Sequence, residues 1–232
     1  RATPTPSRRA RHAFFSSCAS RGFRIQKADV TAAFLQGDEL EESKHCIPVP
    51  ELCRALNIPP GTPAKVKKGI YGLLKGPKLW VEHVMKRLRQ DGWIQCHLCP
   101  CTWKLYDHSK GDVTDSIRPR LVGLLSFHID DFLLGGESSN DVWETARESL
   151  RWTWQWSDWE ADDFKITGIH FKQLPCGTIH LDQSAYLNEV EAIRMTPSRR
   201  RERNAKVSEV ERSQLRGVLG ALLWPATQTC PK

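Results

Sequence analysis

Two adjacent carboxylates interrupt the most apolar part of the chain. Residues 121–136 read LVGLLSFHIDDFLLGG, so Asp130 and Asp131 stand between two runs of strand-forming residues. A carboxylate beside a hydrophobic core is costly unless it is hydrogen-bonded or bound to a cation. The segment therefore predicts two strands whose junction is either a metal site or an ordinary polar turn.

A third acid stands at the end of another predicted strand. Residues 28–37 read ADVTAAFLQG, with Asp29 followed by small residues and one aromatic. Phosphoryl transfer with two cations needs carboxylates that converge from separate segments, because the ions bridge the attacking oxygen and the leaving phosphate. Asp29 and Asp130 are candidates for such a pair. The alternative for Asp29 alone is the N-cap of a following helix.

Between these acids lies a basic, glycine-containing segment, KKGIYGLLKGPKLW at 67–80. Glycines allow the backbone to approach a ligand closely, and lysines attract phosphates. A helix that begins at Pro77 directs its positive end toward an anion. One such loop is weak evidence, but the order acid, basic glycine loop and acid pair indicates phosphate chemistry.

The remaining pattern alternates strands with helices and predicts an α+β domain. Helices are expected at 7–20, 77–92, 140–150, 184–192 and 208–223, with a short one at 52–56 inside a proline-rich loop at 48–63. Strands are expected at 23–30, 94–106 and 152–159, within 120–135 on the two sides of the acid pair, and as a hairpin at 165–182.

Charge and composition narrow the function classes. The net charge is +7, with eight Lys and Arg residues at 65–89 and an acidic stretch at 137–163, which suits either a polyanion partner or solvated helix faces. No apolar stretch approaches the roughly 20 residues of a membrane span, and no signal-type core follows the basic start. The eight cysteines show no disulfide framework. We therefore expect a protein that is neither secreted nor membrane-bound, in the cytoplasm or nucleus.

Three further features have competing interpretations. Cysteines 96, 99 and 101 with His97 suggest zinc, but their spacing is too tight for two standard knuckles, which favours packing. The tryptophans at 152, 154, 156 and 159 suit either base stacking or one buried face of a strand. The arginine-rich run at 199–203 suits either template phosphates or a solvated linker.

Taken together, these motifs resemble the reverse transcriptase of copia-type LTR retrotransposons, the polymerase section of their Pol polyprotein. ADVTAAFLQGDELEE is similar to the first catalytic block, KKGIYGLLKGPKLW to the template and nucleotide loop, and FHIDDFLLGG to the YVDD hairpin. Downstream, FKITGIHFKQLPCGTIHLDQSAYL resembles the primer-grip hairpin and RSQLRGVLGALLWPATQT the segment leading toward RNase H. The resemblance covers nearly the whole chain.

The resemblance implies a role for each matching position. Its catalytic carboxylates are Asp29, Asp130 and Asp131, which with the Val30 carbonyl would hold two Mg²⁺ ions, or Mn²⁺. Its nucleotide-binding residues are Ala33, Phe34, Tyr71, Gly72 and Lys75, with Phe34 excluding a ribose 2′-OH. Its primer and template contacts are His128, Gly168 and Lys78. His128 replaces the usual tyrosine of the acid-pair motif, and Lys75 replaces a common glutamine.

As a whole, the resemblance implies an RNA-directed DNA polymerase core, a nucleotidyltransferase that extends a DNA primer with dNTPs on an RNA or DNA template. Residues 1–174 would form a palm with partial fingers, and residues 175–232 the end of the primer-grip hairpin and the start of the thumb or connection. The RNase H and integrase sections are not among these residues. Such a polymerase works in a cytoplasmic virus-like particle or the nucleus. The alternative is a catalytically inactive retroelement remnant that binds nucleic acid.

Overall fold

The computed structural model describes residues 3–108, 119–202 and 204–229. The chain divides into two compact units, Arg1–Ala161 and Asp162–Lys232. Both combine helices with antiparallel strands, which confirms the α+β class. Across the described residues, no helix has both the length and the apolar character needed to cross a membrane.

The first unit contains five helices and eight strands among its described residues. The helices are α1 (Arg8–Arg21), α2 (Ala33–Gln36), α3 (Pro50–Leu56), α4 (Gly76–Gln90) and α5 (Asp141–Thr153). The strands are β1 (Arg24–Asp29), β2 (Glu39–Cys46), β3 (Ala64–Lys68), β4 (Ile94–Cys96), β5 (Cys99–Asp107), β6 (Arg120–His128), β7 (Asp131–Gly136) and β8 (Glu160–Ala161).

The scaffold of this unit is a six-stranded antiparallel sheet in the order β4-β5-β6-β7-β1-β8. Helices α4 and α5 pack on one face over the main hydrophobic core, which includes Trp80, Trp103, Phe132 and Trp143. Helix α1 packs on the other face, where Cys18 lies against Gly135 of β7. Because side chains alternate along a strand, neighbouring residues of β1 and β7 belong to different faces.

Several local signals are confirmed. The Ser7 hydroxyl accepts a hydrogen bond from the Ala10 amide at 3.1 Å and caps α1, which ends at Gly22 as expected. Pro77 lies in the first turn of α4. The short helix expected at 52–56 is α3, which begins two residues earlier.

Other boundaries were wrong, for identifiable reasons. The strand expected at 94–106 is a hairpin, because the chain turns between β4 and β5. The aromatic strand expected at 152–159 does not form: its first two residues end α5, and only Trp156 pairs, in an isolated bridge to Val30. Strands β2 and β3 were missed, because β2 is mostly exposed and charged and has no apolar alternation.

The second unit contains strands β9 (Asp163–Ile166), β10 (Ile169–Gln173) and β11 (Ile179–Asp182), which form one antiparallel sheet. Its helices are α6 (Ser184–Asn188), α7 (Pro197–Arg201) and α8 (Glu209–Gln228). The hairpin predicted at 165–182 has an additional turn at Thr167 and Gly168, so it becomes three strands. Helix α6 is shorter than predicted and α8 longer. The functional boundary at 174/175 stays a prediction.

The turn between β9 and β10 yields a stability prediction. Gly168 has a φ of 76°, a conformation that costs an L-residue about 1 kcal/mol or more, so Gly168→Ala is expected to lower the free energy of unfolding by that amount. Gly217→Ala is the matched control, because Gly217 lies inside α8 and a methyl group added there meets no other atom. Alanine at this position should raise the free energy of unfolding by up to about 1 kcal/mol. Urea denaturation measures both changes, and equal signs would contradict this account.

Candidate metal centre

The three aspartates of the sequence analysis meet at one end of the β1–β7 pair. Asp29 is the last residue of β1 and lies opposite Asp131, the first residue of β7, in the antiparallel register. Asp130 lies in the two-residue turn that joins β6 to β7. One carboxylate oxygen from each residue lies within 4.8 Å of those of the other two. Asp29 belongs to the strand, and α2 is capped at Ala32 without a side-chain bond, so the N-cap interpretation was wrong.

The turn that carries Asp130 is strained and held from two sides. Ile129 has a φ of 61°, an unfavourable value for a β-branched residue. The Trp80 indole of α4 donates to the Ile129 carbonyl at 2.7 Å, and the Val30 amide donates to the Asp130 carbonyl at 2.9 Å. The surrounding structure therefore imposes this turn, as is common at functional sites.

The Trp80 contact can be tested directly. Trp80→Phe keeps an aromatic ring in the core but leaves the Ile129 carbonyl without the indole N–H, and we expect the free energy of unfolding to fall by about 1 to 2 kcal/mol. Chemical denaturation measures that loss. Trp152→Phe is the control, since Trp152 is 86% exposed, and its stability should not change. Equal stability of both variants would remove the role of Trp80.

The residues after α5 secure the outer edge of β1. The Ser157 amide donates to the Asp29 carbonyl at 2.8 Å, and the Asp29 amide donates to the Ser157 hydroxyl at 3.3 Å. The Gln36 amide group bridges this edge, since its nitrogen donates to the Thr31 carbonyl and its oxygen accepts from the Gln155 amide. No local sequence signal marks the contacts of Ser157 with Asp29 and of Gln36 with Gln155, because these partners lie more than a hundred residues apart in the chain.

Electrostatics favour a cation at the three aspartates. Burial, followed by the charges of Asp130 and Asp131, raises the pKa of Asp29 above its usual range. Burial also raises the pKa of Asp131, against the opposing influence of Lys27. Carboxylate oxygens are the ligands that Mg²⁺ and Mn²⁺ prefer. The donor set therefore fits the divalent cations that the motifs imply. The Val30 carbonyl stays a predicted ligand.

The predicted nucleotide-binding residues partly assemble. Ala33 and Phe34 are buried on α2, directly after the turn that follows Asp29. The Tyr71 ring lies over Phe34 with the ring centroids 4.7 Å apart, and Gly72 follows in the same loop. A methyl group added at Gly69 would lie 3.3 Å from the Phe34 carbonyl oxygen, so the basic loop packs on α2.

The predicted charged contacts already have protein partners. The Lys75 ammonium lies 3.0 Å from Glu42 of β2, and the Lys78 ammonium 3.6 Å from Glu82. Both pairs are exposed, so each contributes little to stability. His128 is exposed at the end of β6, opposite Asp131. Gly168 belongs to the second unit.

The structure bears on the open alternatives. Cys99 and Cys101 are buried in β5, which favours the packing interpretation for these two residues. Trp154, Trp156 and Trp159 pack in or against the main core, which favours a buried role for them. In the arginine-rich run, Arg199 pairs with Glu211 of α8 at 3.0 Å, and Arg203 lies outside the described residues.

Comparison with known proteins adds no relative: no family model matches the chain, and no curated protein matches it. The functional assignment therefore rests on the motifs of this sequence and on the geometry of the three aspartates.

Proposed function

We propose that this chain is the RNA-directed DNA polymerase core of a retrotransposon Pol polyprotein, with a reverse-transcriptase palm as the first unit. The observation that carries the proposal is the convergence of Asp29 with Asp130 and Asp131, although Asp29 is about a hundred residues away from the other two in the chain. Three carboxylates that meet from such distant segments repel one another, and a bound cation would offset that repulsion.

In the proposed reaction, the 3′-oxygen of a DNA primer attacks the α-phosphorus of a dNTP. A new phosphodiester bond forms, the bond to the β-phosphate breaks, pyrophosphate leaves, and the hydroxyl proton passes to solvent. Two Mg²⁺ ions, when bound, would neutralise the developing charge and align the two oxygens. Asp29 and Asp130 would hold them, with Asp131 auxiliary. The basic segment at 67–80 would attract the triphosphate and template.

Primer extension tests the proposal. The chain is incubated with oligo(dT) annealed to poly(rA), dTTP and Mg²⁺ or Mn²⁺, and nucleic-acid binding is measured separately by fluorescence anisotropy. We expect a ladder of extended primers that is absent with Asp130→Asn, whereas binding is nearly the same for both proteins. Binding without extension by the wild type would instead support the inactive, nucleic-acid-binding remnant.

Phe34 supplies a prediction on sugar selection. If its ring stands beneath the incoming sugar, it clashes with a 2′-OH and rejects ribonucleotides by repulsion alone. Phe34→Val should then raise ribonucleotide incorporation relative to deoxynucleotide incorporation. It should also lower the melting temperature, because Phe34 is buried and contacts Tyr71. A lower melting temperature with an unchanged ratio would leave Phe34 with a packing role only.

A further inference from the structure

A lysine lies beside the three aspartates, and none of the motifs assigns it a role. Lys27 is two residues before Asp29 on β1, so both side chains project from the same face of the sheet. The Lys27 ammonium lies 3.8 Å from Asp131 and 3.4 Å from Glu160 of β8. The side chain of Lys27 is 17% exposed and that of Asp131 24%, whereas that of Glu160 is 46% exposed, so the pair with Asp131 is the better shielded from solvent.

The strand register explains this position. Lys27 is opposite Leu133 of β7 on one side and opposite Glu160 on the other. Asp131 is therefore the diagonal neighbour of Lys27 across β7, within reach of a long side chain. Asp131 on β7, Lys27 on β1 and Glu160 on β8 therefore form a row of alternating charge across three adjacent strands. This row meets the aspartate cluster at Asp131 and not at Asp130.

We propose that Lys27 is a positioning residue of the metal centre. Its ammonium pairs with Asp131 in place of a metal ion and so sets how tightly the centre binds divalent ions. The inference rests on the proposed function. Glu160 holds the ammonium from the far side and keeps it close to Asp131. Asp29 and Asp130 are left as the ligand pair, and Asp131 contributes mainly through its charge.

Two physical consequences follow. A fixed positive charge a few ångströms from a dication weakens its binding, because the repulsion is strong where water is partly excluded. The same charge stabilises the ion-free protein, because it offsets part of the repulsion among the three carboxylates. Lys27 therefore lowers the affinity of the centre for a divalent cation and raises the stability of the metal-free protein.

The experiment compares Mn²⁺ binding, by calorimetry, in the wild type, Lys27→Gln and Lys27→Arg. We expect Lys27→Gln to bind Mn²⁺ about tenfold more tightly and Lys27→Arg to retain the wild-type affinity. Lys165→Gln is the control for net charge, because Lys165 is exposed on β9 in the second unit, and its Mn²⁺ affinity should not change. The increase in Mn²⁺ affinity caused by Lys27→Gln should be smaller when Asp131→Asn is also present, because Lys27 acts through that carboxylate.

Melting temperature is the second measurement. Without divalent ions, Lys27→Gln should have a lower melting temperature than the wild type. Added Mn²⁺ should raise the melting temperature of Lys27→Gln more than that of the wild type. Equal Mn²⁺ affinity of the wild type and Lys27→Gln would overturn the role of Lys27 and leave the proposed function intact. Absence of Mn²⁺ binding in every variant, including the folded Lys27→Arg protein, would overturn both.

Discussion

Asp29→Asn is expected to reduce primer extension by about 10³-fold or more and, at the same time, to make the protein more stable. The amide keeps the shape of the side chain but removes a charge that the cations require. The gain in stability follows from the raised pKa of Asp29, because the folded protein accommodates the charged carboxylate less well than the unfolded chain does.

The sign of the pH dependence follows from the same shift. Since the pKa of Asp29 is higher in the folded protein than in the unfolded chain, the charged carboxylate destabilises the fold at neutral pH. This cost disappears as the pH falls through the folded pKa toward the unfolded value of about 4. The melting temperature of Asp29→Asn should therefore exceed that of the wild type at pH 7 without divalent ions. The difference should narrow in acid, and Mg²⁺ should raise the melting temperature of the wild type only.

Asp158→Asn is the matched control for this prediction. Asp158 is exposed and close in sequence to Ser157, which contacts Asp29, but it is not one of the three converging carboxylates. Its extension rate and melting temperature should equal those of the wild type. An Asp29→Asn protein that extends primers at the wild-type rate would remove Asp29 from the metal centre.

Gly136→Ala is expected to cost about 3 kcal/mol or more of unfolding free energy. Trp143 of α5 lies flat on the sheet at Gly136, and an added Cβ would be 2.1 Å from its indole ring. The ring cannot move aside easily, because it is buried and packs edge-on against Trp93. Overpacking of this severity lies at or beyond the upper end of what cores tolerate.

Gly37→Ala provides the comparison within the same unit. Gly37 has a φ of −70°, and an added methyl group would make only ordinary contacts, 3.6 Å from the Phe34 carbonyl oxygen and 3.7 Å from Trp80. Its free energy of unfolding should change by less than about 1 kcal/mol. Urea denaturation of both variants is the measurement, and a Gly136→Ala protein as stable as Gly37→Ala would refute the close packing of Trp143.

The sequence was most informative where the cause of structure is local. The Ser7 cap of α1, the strand that ends at Asp29 and the turn at Asp130 could all be predicted, because each depends on a few consecutive residues. Apolar runs on both sides of Asp130 and Asp131 require two buried strands, and the acids then have to lie at the junction.

What could not be predicted depends on contacts between distant segments. Ser157 bonds to Asp29 of β1, and Gln36 bonds to Gln155, each across more than a hundred residues of the chain, and no residue near Ser157 or Gln36 signals these partners. The tryptophans at 152–159 alternate like a strand, but Trp152 is exposed in α5, whereas the rings of the other three pack in or against the core from an irregular segment that pairs only at Trp156. Tertiary packing overrode the local pattern there.

The most direct test of the central claim uses dTTP analogues in which sulfur replaces one nonbridging oxygen of the α-phosphate. Sulfur binds Mg²⁺ poorly and Mn²⁺ better, because softer ions accept softer ligands. If cations held by Asp29 and Asp130 contact the transferred phosphate, one of the two sulfur diastereomers should be incorporated slowly with Mg²⁺ and recover with Mn²⁺, relative to dTTP under each condition. Absence of dTTP incorporation, or the same sulfur penalty with both ions, would contradict the assignment.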